Sequence, residues 1–185
     1  MGQVEGLDRI LGEHPFTRGL SDHARALMAG CAENRVFRDG ERMLREGDPA
    51  DVFFLVRRGA VALEIHVPGH DPLVIETLGD GDVLGWSWLV PPYRVRFDAR
   101  AIGLVRTLSV NGKCLREKCE EDCALGYEFY RQLLPVVVDR LTAARLQMMD
   151  MYGHPNEYVG TSGRFAPESE GPAKPYPADD LGYDK

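Results

Sequence analysis

The residues best suited to chemistry in this 185-residue chain lie in one aromatic and basic segment. The segment contains Trp86, Trp88, Tyr93, Arg94, Arg96 and Arg100. Aromatic faces stack on bases, and guanidinium groups bind phosphates through paired hydrogen bonds. The pattern is therefore typical of a nucleotide or anion site. The same aromatic residues would also suit the core and cap of a domain that has lost its ligand, and the sequence leaves both alternatives open.

Other reactive side chains form no recognisable catalytic or metal site. Cys114, Cys119 and Cys123 are close in sequence, but an iron–sulfur cluster needs four thiolates and the fourth cysteine, Cys31, is distant. We therefore predict free, partly buried thiols. The histidines show no metal-binding spacing, so no metal site is predicted. No nucleophile elbow, phosphate-binding loop or dinucleotide fingerprint occurs, so we predict no catalytic residues and do not expect an enzyme.

Composition and charge narrow the class of protein further. Hydrophobic residues make up 44% of the chain and charged residues 28%, which is typical of a globular domain. The net charge of −7 argues against nonspecific nucleic-acid binding. No apolar run approaches the roughly 20 residues of a membrane span, and no signal peptide is visible. Four cysteines without a signal peptide are typical of a reducing compartment, so we expect a cytoplasmic protein that binds no membrane.

The hydrophobic periodicity changes along the chain and divides it into four parts. The predicted parts are N-terminal helices at 1–33, a strand-rich region at 34–110, C-terminal helices at 111–152, and a tail at 153–185 with five Gly and five Pro. In the strand-rich region, eight short apolar runs alternate with glycine turns, which predicts a sandwich or barrel. Val61, Leu63 and Ile65 alternate with smaller or polar residues, which predicts a strand with one buried face.

The long C-terminal helix is predicted over about residues 122–152, with a kink at Pro135. Apolar residues recur in it with 4-3-4-3 spacing, which is typical of a coiled-coil seam. The predicted dimer interface consists of Val137, Leu141, Ala144, Met148 and Met151.

Three glycine-rich segments occur in a fixed order between the N-terminal helices and the long helix. They are Phe37 to Asp48, Phe54 to Val61 and Leu78 to Gly85. Over about residues 14–150, this arrangement resembles the cyclic-nucleotide-binding domain family, the effector domain of Crp/Fnr-type bacterial regulators. The resemblance implies a mainly β fold, an eight-stranded antiparallel jelly-roll barrel with flanking helices and a long C-terminal dimerisation helix. It also implies a ligand cassette after the third segment, where a short helix receives a phosphate.

The cassette departs from the family pattern at the residues that hold cyclic AMP. Trp86 stands where the family has a Glu that binds the ribose hydroxyl, and an indole cannot accept that hydrogen bond. Val95 stands where the family has an Arg on the phosphate, and Asp98 replaces a small hydroxyl residue. Cyclic AMP is therefore not the expected ligand, although another nucleotide remains a candidate cofactor. The candidate ligand-binding residues are Gly85, Trp86, Ser87, Trp88, Arg94 and Arg96.

The resemblance implies a function by binding. DNA-binding members carry a helix-turn-helix domain after the long helix, which is not found here, so we expect no DNA binding. We interpret the chain as a non-catalytic regulatory or accessory module, a homodimer that docks on a partner protein. Stand-alone members include accessory subunits of soluble NAD-reducing hydrogenases, which makes such an oxidoreductase complex a candidate partner. The alternative is a cyclic-nucleotide sensor that regulates transcription through a partner.

Overall fold

A computed structural model describes residues 2–153 of the chain, with side chains described for Leu7 and for residues 9–149. The helices are α1 (Gly2–Glu13), α2 (Asp22–Ala29), α3 (Gly112–Glu121) and α4 (Cys123–Gly153). The strands are β1 (Ala32–Phe37), β2 (Arg42–Leu44), β3 (Val52–Ile65), β4 (Leu73–Leu78), β5 (Val83–Leu84) and β6 (Asp98–Asn111). The predicted tail lies outside the described residues from position 154 onwards.

The six strands of the described region form one antiparallel sheet with the order β1-β6-β3-β4. Strand β2 pairs with β6, and strand β5 pairs with β3. The predicted mainly β architecture with flanking helices is confirmed, because the described strands are antiparallel throughout and helices precede and follow them.

The prediction of eight strands is wrong, because two pairs of apolar runs form single long strands. Strand β3 continues through Gly59, and strand β6 continues through Gly103. Both glycines have positive φ, at 108° and 66°, which a residue without a Cβ adopts at little cost. Each strand therefore bends without ending, and the register between β3 and β6 shifts around these points.

The prediction of one buried face on β3 is also wrong. Val61 and Leu63 are buried as expected, but Ala62 and Glu64 on the other face are buried as well. The Glu64 carboxylate accepts a hydrogen bond from Nε of Arg100 on β6 at 2.9 Å. A buried charge is tolerated when it is paired in this way, so the polar residue does not require an exposed face.

The helices begin at capping residues that the sequence provides. The Ser21 hydroxyl accepts the Ala24 N–H at 3.2 Å at the start of α2. The Asn111 side chain caps α3 in the same way. The Asp122 carboxylate accepts the Ala124 N–H at 2.9 Å and separates α3 from α4. Pro135 lies inside α4, and its predicted kink stays a prediction.

Cys31 and Cys114 form a disulfide, which corrects the prediction of four free thiols. Cys31 lies just before β1 and Cys114 lies in the first turn after β6. The pairing of β1 with β6 brings these positions together, and the Asn111 N–H donates to the Cys31 carbonyl at 2.8 Å. The sequence separation of 83 residues hides a contact that the sheet creates.

Helix α4 packs against the domain through its first three turns. Leu125, Phe129 and Leu133 are buried in the core that also contains residues of α1, α2 and β3. The Tyr130 hydroxyl donates to the Leu89 carbonyl at 3.1 Å, which fixes the helix against the segment after β5. Among the described residues, no helix combines the length and the apolar character needed to cross a membrane.

Candidate ligand site

The cassette begins with a sharp turn at Gly85, where strand β5 ends. Gly85 has a φ of 88°, and a single turn of 3-10 helix follows at Trp86–Leu89. A Cβ on Gly85 would lie 3.1 Å from the Leu44 side chain and 3.3 Å from the Val52 carbonyl. Glycine is therefore required for two reasons, the left-handed backbone and the close approach of β2 and β3.

A small pocket lies between this turn, strands β2 and β3, and helix α4. Its lining consists of Leu44, Leu63, Leu84, Gly85, Trp86, Ser87, Val95, Arg96, Phe97 and Arg140. The volume is about 20 Å³, which is room for about one water molecule. Four of the predicted ligand-binding residues line this pocket: Gly85, Trp86, Ser87 and Arg96.

Trp88 is one of the candidate ligand-binding residues, but it lies in the core. Its indole stacks on Phe53 with ring centroids 4.7 Å apart, and Phe129 meets it edge-on at 5.9 Å. The side chain is fully buried, and its indole N–H has no hydrogen-bond partner among the described residues. Trp88 therefore follows the alternative interpretation, in which the aromatic residues of the cassette are core residues.

Arg94 also lies outside the pocket. This exposed side chain donates to the Gly47 carbonyl at 3.2 Å. The neighbouring Tyr93 ring is covered by the Arg116 guanidinium, 4.5 Å from the ring centroid. Arg116 also donates to the Trp88 carbonyl at 2.7 Å, so it ties helix α3 to the cassette backbone. Tyr93 and Arg94 therefore hold the loop in place and leave Arg96 as the cassette arginine at the pocket.

Asp98 points toward protein donors. Its carboxylate accepts the Glu46 N–H at 2.7 Å and lies 3.5 Å from the Arg42 guanidinium. These contacts offset the negative charge of Asp98, which weakens the repulsion that this carboxylate would exert on a phosphate. Val95, in contrast, is buried and lines the pocket where the family resemblance places an arginine.

Arg140 was not predicted, and it is the most informative residue of the pocket. It reaches from α4 to donate to the Val83 carbonyl, and its Nε lies 3.4 Å from the Glu76 carboxylate. Burial lowers the pKa of Arg140, and the Glu76 charge opposes this change. The only sequence signal was a basic residue after the apolar run at 136–138.

In the part of the chain that the structure describes, the remaining cysteines form no cluster with other metal-binding side chains. Cys119 and Cys123 are the free cysteines of the described region, and burial raises the pKa of the Cys119 thiol to about 11. Within the described residues, no group of three or more His, Cys, Asp or Glu side chains is arranged to hold a metal ion.

The predicted dimer interface divides into two sets of residues. Val137 packs partly against the core of its own domain. Leu141, Ala144 and Met148 are exposed, and the Met151 side chain lies outside the described residues. Exposed apolar residues at Leu134 and Val138 continue the exposed set toward the start of α4.

Comparison with known proteins gives one family match and partial matches to longer proteins. Residues 34–122 match the family model described as cyclic nucleotide-binding domain. Glutaminase 1 of Bradyrhizobium diazoefficiens is 36% identical over 138 residues, which cover 75% of this chain. The cAMP-dependent protein kinase regulatory subunit of Eremothecium gossypii is 25% identical over 83 residues, or 45% of this chain. The chain spans only 22% and 17% of the length of these two relatives.

A solved structure of a similar protein matches this chain over nearly the whole length of that structure. The structure described as a cyclic nucleotide-binding protein of Geobacter metallireducens has a TM-score of 0.66 and 28% sequence identity. The match covers 73% of this chain and 97% of that chain.

Proposed function

Because this chain belongs to the cyclic nucleotide-binding domain family through residues 34–122, we propose that it is a non-catalytic regulatory module with an altered ligand pocket. It acts as a homodimer that docks on a partner protein. Cyclic AMP is not its ligand, and any ligand of the pocket is a different nucleotide or anion.

The observation that carries this proposal is the small, altered pocket of the cassette. Trp86 and Val95 line it at the two positions where the family resemblance places a Glu and an Arg. Without these groups, the ribose hydroxyl and the cyclic phosphate lose their main partners. A hydroxyl buried without a partner costs roughly 1–3 kcal/mol, and the lost phosphate contact adds to this cost. The affinity for cyclic AMP would then fall by about 100-fold or more.

The contacts of Arg140, which lies on helix α4, also support an altered pocket. Its guanidinium occupies the space between Val83 and Glu76, next to the cassette turn. A ligand that enters must displace these contacts or use the guanidinium itself. Arg96 is the other cation at the pocket, and it is exposed. Two guanidinium groups favour a phosphate or carboxylate over a neutral ligand.

The exposed apolar residues of α4 support the homodimer. Leu134 is 63% exposed, Val138 is 49% exposed and Leu141 is 51% exposed. Their spacing of four and three residues places them on one stripe of the helix. Such a stripe is typical of a helix that packs on a second helix, and a copy of the same chain is the simplest partner.

The similarity to Glutaminase 1 bears on the partner. This chain matches about a fifth of that protein, so a segment similar to this chain forms part of a protein that is named as an enzyme. We propose that the partner of this module is likewise an enzyme, with a soluble oxidoreductase such as an NAD-reducing hydrogenase as the candidate from the family resemblance.

Calorimetry with cyclic AMP tests the ligand part of the proposal. We expect no binding tighter than about 1 mM by the wild-type chain. The variant Trp86→Glu with Val95→Arg restores the family groups and should gain affinity. Micromolar binding of cyclic AMP by the wild type would contradict the proposal and support the alternative, a cyclic-nucleotide sensor that acts through a partner.

A fluorescence titration tests which residues hold another anion. Trp86 lies at the pocket, so a nucleotide that enters should quench its emission. Arg96→Ala with Arg140→Ala should abolish the quench, whereas the matched control Arg94→Ala should retain it because Arg94 binds Gly47 outside the pocket. A quench that survives the loss of Arg96 and Arg140 would contradict this assignment.

The partner is tested by purification from the native host. Co-purification of the chain with an oxidoreductase, observed by native mass spectrometry, would support the accessory-subunit proposal. A homogeneous dimer with no enzyme bound under gentle conditions would contradict it.

A further inference from the structure

A second cavity of the described region lies away from the cassette. It has a volume of about 280 Å³, compared with about 20 Å³ for the cassette pocket. Its apolar wall is formed by Ile10, Pro15 and Val56, from α1, the turn after α1, and β3. This size is close to the lower limit for pockets that hold small organic molecules.

Three arginines dominate the polar lining of this cavity. They are Arg57 and Arg58 from β3 and Arg106 from β6, and they face one lining carboxylate, Glu13. The cavity therefore carries an excess of positive charge in a chain with a net charge of −7. Within the described residues, none of the three arginines takes part in an ion pair, and the one hydrogen bond from Arg57 goes to the neutral side chain of Asn34.

A bulge in β3 directs two consecutive arginines to the same cavity. Val56 pairs with Thr107 and Arg58 pairs with Arg106, so Arg57 is an extra residue in β3. In a regular strand, Arg57 and Arg58 would point to opposite faces of the sheet. Bulges reorient side chains, and they are frequent next to binding sites.

The pairing of Arg58 with Arg106 is unfavourable without a counter-ion. These residues stand directly opposite each other on antiparallel strands. Like charges in this arrangement repel each other and destabilise the sheet. An anion between the two guanidinium groups would remove the repulsion and accept hydrogen bonds from both.

His14 gives the cavity a fixed wall. Its Nε2 lies 3.3 Å from the Val56 carbonyl, and its Nδ1 accepts the Phe16 N–H at 3.3 Å. Because both ring nitrogens are used and the ring is buried, His14 holds the turn after α1 against β3. The other carboxylates of this region bind backbone groups, with Asp80 on the Gly59 N–H and Asp82 on the Gly79 N–H.

We propose that this cavity is a binding site for a small phosphate-bearing metabolite, separate from the cassette. The phosphate binds the guanidinium groups of Arg58 and Arg106, with Arg57 as the third cation. The carbon skeleton of the ligand contacts Ile10, Pro15 and Val56. Guanidinium groups match the geometry of phosphate oxygens through paired donors, which a neutral sugar cannot exploit.

Calorimetry with ribose 5-phosphate as the probe tests the site on the full chain. We expect binding tighter than about 1 mM and no binding of ribose, which lacks the phosphate. Arg58→Gln with Arg106→Gln should weaken binding at least tenfold. The control Arg38→Gln with Arg45→Gln makes the same change in net charge away from the cavity and should bind as the wild type does.

Two further measurements distinguish a loss of binding from a loss of folding, and this cavity from the cassette pocket. In phosphate-free buffer, the Arg58 and Arg106 double variant should melt at the same temperature as the wild type or higher, because the repulsion is gone. Arg96→Ala with Arg140→Ala should leave ribose 5-phosphate binding intact. The proposal is overturned if ribose 5-phosphate does not bind, if the arginine variant binds it equally well, or if only the cassette variant loses it.

Discussion

The exposed stripe of α4 makes a sharp prediction about the oligomeric state. Leu141 lies in the middle of the stripe and is 51% exposed in the single chain. Full burial of a leucine contributes roughly 1.5–3 kcal/mol, so covering the exposed half contributes about 1 kcal/mol per copy. In a symmetric dimer the residue occurs twice, which gives about 2 kcal/mol.

Leu141→Asp removes this contribution and places a carboxylate in an apolar interface. The desolvation of the charge adds a further penalty that reaches several kcal/mol when the group is fully buried. A total of about 3 kcal/mol or more corresponds to at least a 100-fold weaker dimer. The monomer should remain folded, since half of the side chain is already in contact with water.

Sedimentation velocity over a range of concentrations measures the effect directly. The wild type should be a dimer in the micromolar range, and Leu141→Asp should be a monomer with an unchanged circular dichroism spectrum. Leu104→Asp is the matched control, because Leu104 is 55% exposed but lies on β6 rather than on α4. A dimer of unchanged affinity in Leu141→Asp would refute the assignment of the interface to this stripe.

Three further predictions concern stability in urea. Gly85→Ala should lower the free energy of unfolding by about 1–2 kcal/mol or more, because the residue has positive φ and the added Cβ would meet atoms within 4 Å. The control Gly40→Ala should lower it by less, because Gly40 also has positive φ but has no atoms within 4 Å of an added Cβ. Burial lowers the pKa of His14 below its value of 6.5 in the unfolded chain, so the unfolded state binds the proton first. The free energy of unfolding of the wild type should therefore fall as the pH drops below 6.5. His14→Gln should lose less of its free energy of unfolding than the wild type between about pH 7.5 and about pH 5.5. Cys31→Ser should lower the free energy of unfolding by about 2–4 kcal/mol, because it opens a covalent loop between residues 83 positions apart. The control Cys123→Ser removes an exposed free thiol and should change the free energy of unfolding by less than about 0.5 kcal/mol. Equal effects in the two variants would argue against the disulfide.

Local sequence determined the order of the helical and strand-rich regions of this protein. The short apolar runs predicted the strand-rich region, and the helical periodicity predicted the helices on either side of it. The glycine-rich segments, in their fixed order, predicted the family and therefore the position of the cassette. These features depend on neighbouring residues, and the chemistry of neighbours is visible in a sequence.

The tertiary structure decided the features that depend on contacts between distant residues. The strand pairing joins Cys31 to Cys114, and the packing of α4 brings Arg140 to a pocket built around Gly85. The same packing buries Trp88 between two phenylalanines, although nothing in its local sequence distinguishes it from Trp86 at the pocket. Burial is a property of the whole fold, because it is set by which side chains of other elements cover a residue. The sequence therefore predicted a ligand site at the cassette, and only the folded chain showed which arginines and which tryptophan line the pocket at that place.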